Sequence, residues 1–253
     1  VLLPFSVTTE RRKSAVALVE LPEHGEGSNV DVELRESGQP IWRRRLKAGA
    51  TRIDEGGELR VLLSSCHYHA RAHRSGILST LRAIEGRSPV DLTFLLGDQV
   101  YLDLPVEKDY PDDERALRAI FEDHYLVNWR SEAFGRLLQM APVAHLPDDH
   151  EYWNNAPHFS PIVGNTYREA GRKRWQRAAG HLFRCFQASN PEQLGKPLVL
   201  DVHPVSFFLV DSRSQRGSDR SAAFPKGTPQ AIAKWVDSLN EHDRVGVFVT
   251  GQS

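Results

Sequence analysis

Four short polar clusters in this chain carry the donor types that metal ions and phosphate oxygens take. They are Ser65-Cys66-His67, Gly97-Asp98-Gln99-Val100-Tyr101, Asp148-Asp149-His150-Glu151 with Asn154-Asn155, and Asp211-Ser212-Arg213. Together they read as the rim of one metal-dependent hydrolase site, because two metal ions held close together can grip both the attacking and the leaving oxygen of an in-line phosphoryl displacement. Such a pair needs a bridging carboxylate. Asp98, just past an apolar run and fixed by Gly97, is the candidate; a turn-capping carboxylate is its structural alternative. Tyr101 would ligate as phenolate only where a trivalent ion lowers its pKa from near 10, and is otherwise a core aromatic. Cys66 can add a thiolate, so Cys66, Asp98 and Tyr101 form the Fe(III) side. An amide oxygen of Asn154 or Asn155 suits a hard cation such as Ca(II), with Zn or Mn as substitutes. Arg213 could clamp two phosphate oxygens, with Asp211 orienting it or binding metal; a buried Asp-Arg pair is the other reading.

These clusters must be positioned by strands. Val61-Leu62-Leu63 precedes the first, Leu92-Thr93-Phe94-Leu95-Leu96 the second and Phe207-Phe208-Leu209-Val210 the fourth. In an open α/β sheet the carboxyl ends of strands share a crevice where ligands bind. From Arg60 onward such runs alternate with helical patterns, the signature of a layered α/β sheet. Ile77, Leu78, Leu81 and Ile84 keep helical spacing, as do Ala116, Leu117, Ile120, Phe121 and His124 after Asp113-Glu114. A long helix is expected from about Thr166 to Ala188. Another starts at Thr228 as N-cap with Pro229 in its first turn, and Val245 to Thr250 then reads as a central strand. Residues 1–57 instead show period-two segments such as Val30-Asp31-Val32-Glu33-Leu34 between glycine-rich turns, which predicts a small β-sandwich-like module.

The order of the motifs resembles the alkaline phosphatase D (PhoD-like) branch of the calcineurin-like metallophosphoesterases: a strand ending in Ser-Cys, a strand ending Gly-Asp-x-x-Tyr, then Asp-Asp-His-Glu with Asn-Asn, then Asp-x-Arg. The resemblance covers about residues 58–253. It implies an αββα layered sheet sandwich over that range and, more loosely, an amino-terminal immunoglobulin-like domain over 1–57. It also implies that a metal-bound hydroxide attacks a phosphodiester or phosphomonoester with no covalent intermediate. By the same resemblance Asp149 ligates the second metal and His150 stands over the phosphate as proton donor or charge stabiliser. The catalytic candidates are thus His150 and Arg213, and the metal ligands Cys66, Asp98, Tyr101, Asp149 and Asn155. The family's last motif, Gly-Asp-x-His after a further strand, does not appear, so the carboxy-terminal part of the domain is expected beyond Ser253 or on a second chain. The rival expectation is a catalytically silent binding or scaffold protein.

Composition narrows the rest. Lys plus Arg number 32 against 33 Asp plus Glu, a net charge of -1, so no global basic field recruits nucleic acid. The basic surface from Arg168 to Arg184 reads as a solvated helix face. No apolar stretch approaches the roughly 20 residues a membrane span needs. Location stays open, cytoplasmic by default and secreted if a signal was removed. Two cysteines cannot build a disulfide framework. Cys185, in an apolar helical stripe, reads as a small core hydrophobe. His67, His69 and His73 invite a zinc reading, but no HExxH or paired CxxC accompanies them. Gly-x-Ser-x-Gly and glycine-rich phosphate loops are absent.

Overall fold

The structure, a computed structural model, describes residues 7–8, 15–16, 29–69, 76–106, 109–188, 194–217 and 224–251. Strands β1 (Val7–Thr8) and β2 (Ala15–Val16) form one antiparallel pair, and β3 (Asn29–Glu36) and β4 (Gln39–Lys47) another, joined at Ser37-Gly38. Both residues of that turn have positive φ, 49° and 82°, as a tight hairpin turn requires. The rest of the module expected over 1–57 lies in part outside the described residues.

Three parallel strands follow in spatial order β5 (Val61–Ser64), β6 (Leu92–Leu96) and β7 (Val143–Leu146). A second sheet has the order β10-β9-β8. In it β9 (Val205–Val210) is antiparallel to β8 (Leu198–Val202) and parallel to β10 (Val245–Thr250). The sheets meet face to face. Leu92, Phe94, Ala144 and Leu146 of the first share one buried cluster with Val202, Phe207 and Leu209 of the second, and the Phe94 and Phe207 rings touch edge to face at 5.1 Å.

Because side chains alternate across a strand, the intervening residues face outward to helices. Leu95 packs with Leu81 of α1 (Ile77–Glu85) and with Phe134 and Leu137 of α3 (Glu132–Met140). Phe208 and Val210 pack on Trp235 of α5 (Thr228–Glu241), whose indole N–H donates to the Ser206 hydroxyl at 2.8 Å. The layers are therefore αββα, as the motif order implied. β6 is apolar at nearly every position because both its faces are covered, the usual state of a central parallel strand. Among the described residues β10 pairs with β9 alone, and most of its side chains are exposed.

Two further helices, α2 (Glu114–Trp129) and α4 (Glu169–Phe186), build a side core from Leu117, Phe121, Tyr125, Trp175, Ala178 and Leu182. Tyr152 and Trp153 insert into it and fix the loop after β7. Asp113 caps α2, accepting the Ala116 N–H at 2.8 Å. Two expected boundaries shift. The long helix begins at Glu169 rather than Thr166, because residues 164–166 form a separate 3-10 turn in which the Thr166 hydroxyl donates to the Val163 carbonyl at 2.7 Å. Thr228 lies inside α5, whose N-cap is Gly227 at φ 89°, a left-handed entry that glycine makes without steric cost. No helix of the described residues is long and apolar enough to cross a membrane.

Candidate metal centre

The carboxyl ends of β5, β6 and β7 meet because one residue has no side chain. A Cβ on Gly97, at φ 101°, would lie 2.3 Å from Asp148 Cβ, so only glycine lets the loops after β6 and β7 close on each other. Cys66 and Asp98 also take left-handed backbone, φ 60° and 56°, an uncommon state for non-glycine residues that concentrates at functional sites. The loop after β5 is laced to the loop after β6: the Cys66 N–H donates to the Gly97 carbonyl at 3.1 Å and the His67 N–H to the Asp98 carbonyl at 2.7 Å.

Glu151 ties the third loop in. Its carboxylate is fully buried and accepts the backbone N–H groups of Asp98 at 2.8 Å, Gln99 at 2.7 Å and Asp148 at 2.9 Å, with Gln187 Nε2 at 3.1 Å. Burial, followed by the charge of Asp98, pushes the Glu151 pKa up to about 8, against the hydrogen bonds that favour its ionised form. Asp103, also fully buried, accepts from His150 Nδ1 at 2.8 Å and from the Asn154 N–H at 2.8 Å.

On this scaffold Asp98, Asp149 and His150 each offer one ligand-type atom, all within 4.8 Å of one another, and among the described residues theirs is the one such group of three. Burial raises the Asp98 pKa, and Asp149 adds to the rise while His150 opposes it. For His150 burial acts downward. The hydrogen bond and charge of Asp103, with Asp98 and Asp149 behind, outweigh it and raise the imidazole to about 9. Two carboxylates facing each other on a half-buried floor gain from a shared cation, and carboxylate oxygens suit hard or borderline ions. The donors fit a metal.

The other expected residues fall around this group. Cys66 Sγ lies 3.5 Å from Asp98 Oδ2, and burial raises its thiol pKa. The Tyr101 ring packs on His150 in a tilted pair at 4.2 Å; burial, then the Asp98 charge, hold its phenol well above the usual value. Asn155 is exposed at φ 67°, and its backbone N–H donates to Asp149 Oδ2 at 2.6 Å, which steers that carboxylate. The Arg213 fork is engaged elsewhere: Nε donates to Asp148 Oδ1 at 2.7 Å and Nη1 to the Ala156 carbonyl at 2.8 Å. Asp211 accepts the N–H groups of Arg213 and Ser214 and so shapes the turn. Of the three histidines read for zinc, His67 is buried against Phe134 with a pKa lowered to about 4 by burial and then by His69. His73 lies outside the described residues.

A cavity of about 200 Å³ opens on this floor, lined by Ser65, Cys66, Gly97, Asp98, Asp148 and, from the second sheet, Thr250 and Gly251. Sequence reasoning assigned no role to Glu151, Asp103 or Asp148. The signal at hand for Glu151 was its place in the motif itself; Asp103 gave none, since its partner is 47 residues away.

No family model and no curated protein matches the chain. Among solved structures it is similar to that of PhoD, with a TM-score of 0.55 and 14% identity over 85% of this chain. The match covers 45% of the PhoD chain, so this chain spans under half of that protein. It also aligns with purple acid phosphatase from yellow lupin (Lupinus luteus) seeds at a TM-score of 0.44 and 12% identity, over 84% of this chain and 33% of the other. The first similarity shows a shared fold, the one the motif order implied.

Proposed function

We propose that this chain carries the core of a metal-dependent phosphoester hydrolase of the alkaline phosphatase D type, acting on phosphodiesters or phosphomonoesters. The observation that carries the reading is the convergence of Asp98, Asp149 and His150 at the carboxyl ends of β6 and β7. Cys66, Asp98 and Tyr101 would hold Fe(III), and Asp149 with Asn155 would hold Ca(II), Zn and Mn being substitutes. When bound, such ions supply the Lewis acidity that generates a nucleophile from water near neutral pH and offsets charge on the phosphoryl oxygens.

The chain's own residues supply the rest. Asp103 fixes His150 through Nδ1 and keeps the ring protonated near neutral pH, which leaves Nε2–H to give a proton to the leaving oxygen. Arg213 holds Asp148, a cavity residue, in place. The rings of Tyr68, Tyr101 and His150 pack on one another in tilted pairs.

The test pairs elemental analysis with turnover of an aryl phosphodiester and an aryl phosphate. Asp98→Asn should lose metal and rate together, and His150→Ala should keep metal while losing on the order of 100-fold in rate. Visible absorption that disappears in Tyr101→Phe would support the iron assignment, whereas a colourless zinc protein unaffected by that change would remove it. Turnover by Asp98→Asn at the wild-type rate would overturn the hydrolase reading.

A further inference from the structure

A second cavity, apart from the metal centre, carries positive charge. It measures about 380 Å³ and is lined by Arg118, Lys173, Arg177 and Arg184, with Tyr152 and Ser214 among the remaining residues. That volume lies in the range of small-ligand pockets, about 300–1,000 Å³. Three of the cations come from α4, where residues four, seven and eleven apart share one face, and the fourth comes from α2.

Three of these cations have acidic partners. Glu114 serves both Arg118 at 2.6 Å and Arg177 at 2.7 Å, and Lys173 has Glu169 at 2.7 Å. Arg184 makes no ion pair among the described residues. A concave surface lined by one sign of charge concentrates its field on an ion inside it. In a chain of net charge -1, this is a local feature that overall composition does not explain.

A second observation points inward. Tyr152, which lines the cavity, is 3% exposed, and its hydroxyl completes no hydrogen bond of ordinary geometry. The adjacent Ser214 hydroxyl donates to Asp211 and leaves its own neutral oxygen as the acceptor beside Tyr152. A buried donor with only a poorly aligned partner is costly, and an anionic oxygen in the cavity would satisfy it better. Gly180 contributes its bare backbone to the wall; a Cβ there would stand 3.1 Å from Leu194.

We propose that this cavity binds a small anion bearing two or more phosphoryl charges, of diphosphate size, between Arg177 and Arg184 with Tyr152 donating to one oxygen. The site is separate from the metal centre but wired to it, since Tyr152 directly follows Glu151 and Ser214 directly follows Arg213.

Calorimetric titration of the full chain with methylenediphosphonate, which phosphoesterases cannot cleave, tests this. Asp98→Asn should leave the affinity of this site unchanged. Arg184→Gln and Arg177→Gln should each lower it about tenfold, as loss of a charge-assisted hydrogen bond does. Tyr152→Phe should lower it severalfold, with wild-type melting as the control for folding. Arg177 is more than half exposed, so its variant keeps the test valid should Arg184→Gln fail to fold. Three outcomes overturn the proposal: no binding by the wild type, binding lost in Asp98→Asn but kept in Arg177→Gln, or an oligonucleotide that binds more tightly through the same arginines.

Discussion

Replacing Glu151 by Gln tests whether the site is assembled from below. Oε2 takes the N–H groups of Asp98 and Asp148, and Oε1 takes those of Gln99 and Gln187. Every neighbour is a donor. An amide puts its own NH2 where one of those oxygens stood, so whichever way it is flipped two donors face a donor. Each lost hydrogen bond to a charged group costs about 1.5–3 kcal/mol. Part of this is recovered, because burial and the Asp98 charge already disfavour the ionised carboxylate. A net loss of about 2–4 kcal/mol remains, which for a domain of this size lowers the melting temperature by roughly 4–16 °C. The loops that carry Asp98 and Asp149 should loosen together, costing about 10- to 100-fold in metal affinity, as losing a group that orients ligands does. Thermal melts and metal titration followed by calorimetry give both numbers. If Glu151→Gln melts with the wild type and binds metal equally well, the carboxylate is a passenger and the reasoning fails.

Arg213→Ala separates a phosphate clamp from a structural pair. It would leave Asp148 buried without its cation, a loss of about 3–5 kcal/mol, so melting should fall more than the diesterase rate; a collapsed rate at unchanged melting temperature would assign Arg213 to the phosphate. His145, whose pKa burial lowers to about 3, should make the fold acid-sensitive. The folded state binds its proton less well than the unfolded state, so this stability is present above pH ~6.5 and is lost as pH falls toward 3. At pH 5.5 the loss is about 1.4 kcal/mol. His145→Phe, beside Trp129, should flatten that acid limb in melts from pH 7 to 5, and an unchanged limb would show that another group sets it.

What the sequence revealed here follows from how locally each feature is encoded. β6 was legible because a strand covered on both faces must be apolar at nearly every position, and Leu92 to Leu96 is. Asp98 was legible because Gly97 announces a conformation that only a tight approach needs, though the approaching residue, Asp148, lies 51 positions on. The αββα layering came from motif order, and the contacts that produce it, such as Phe94 on Phe207, join residues with no mutual sequence signal. The same limit hid Asp103 and Glu151. Glu151 sits among polar residues where surface loops and buried clamps have the same composition, and Asp103 lies between two leucines; what distinguishes them is the donors that converge after folding, three backbone N–H groups on Glu151 and the His150 ring with the Asn154 N–H on Asp103. Arg213 shows the ambiguity from the other side: Asp-x-Arg suggested a short-range pair, while the guanidinium reaches Asp148, 65 residues away. In this site ligand types are written in the strand ends, whereas the groups that aim them are set by tertiary contacts. A change at Glu151 should therefore weaken metal binding without touching a ligand, and a change at Asp103 should lower the rate through His150 while metal is kept.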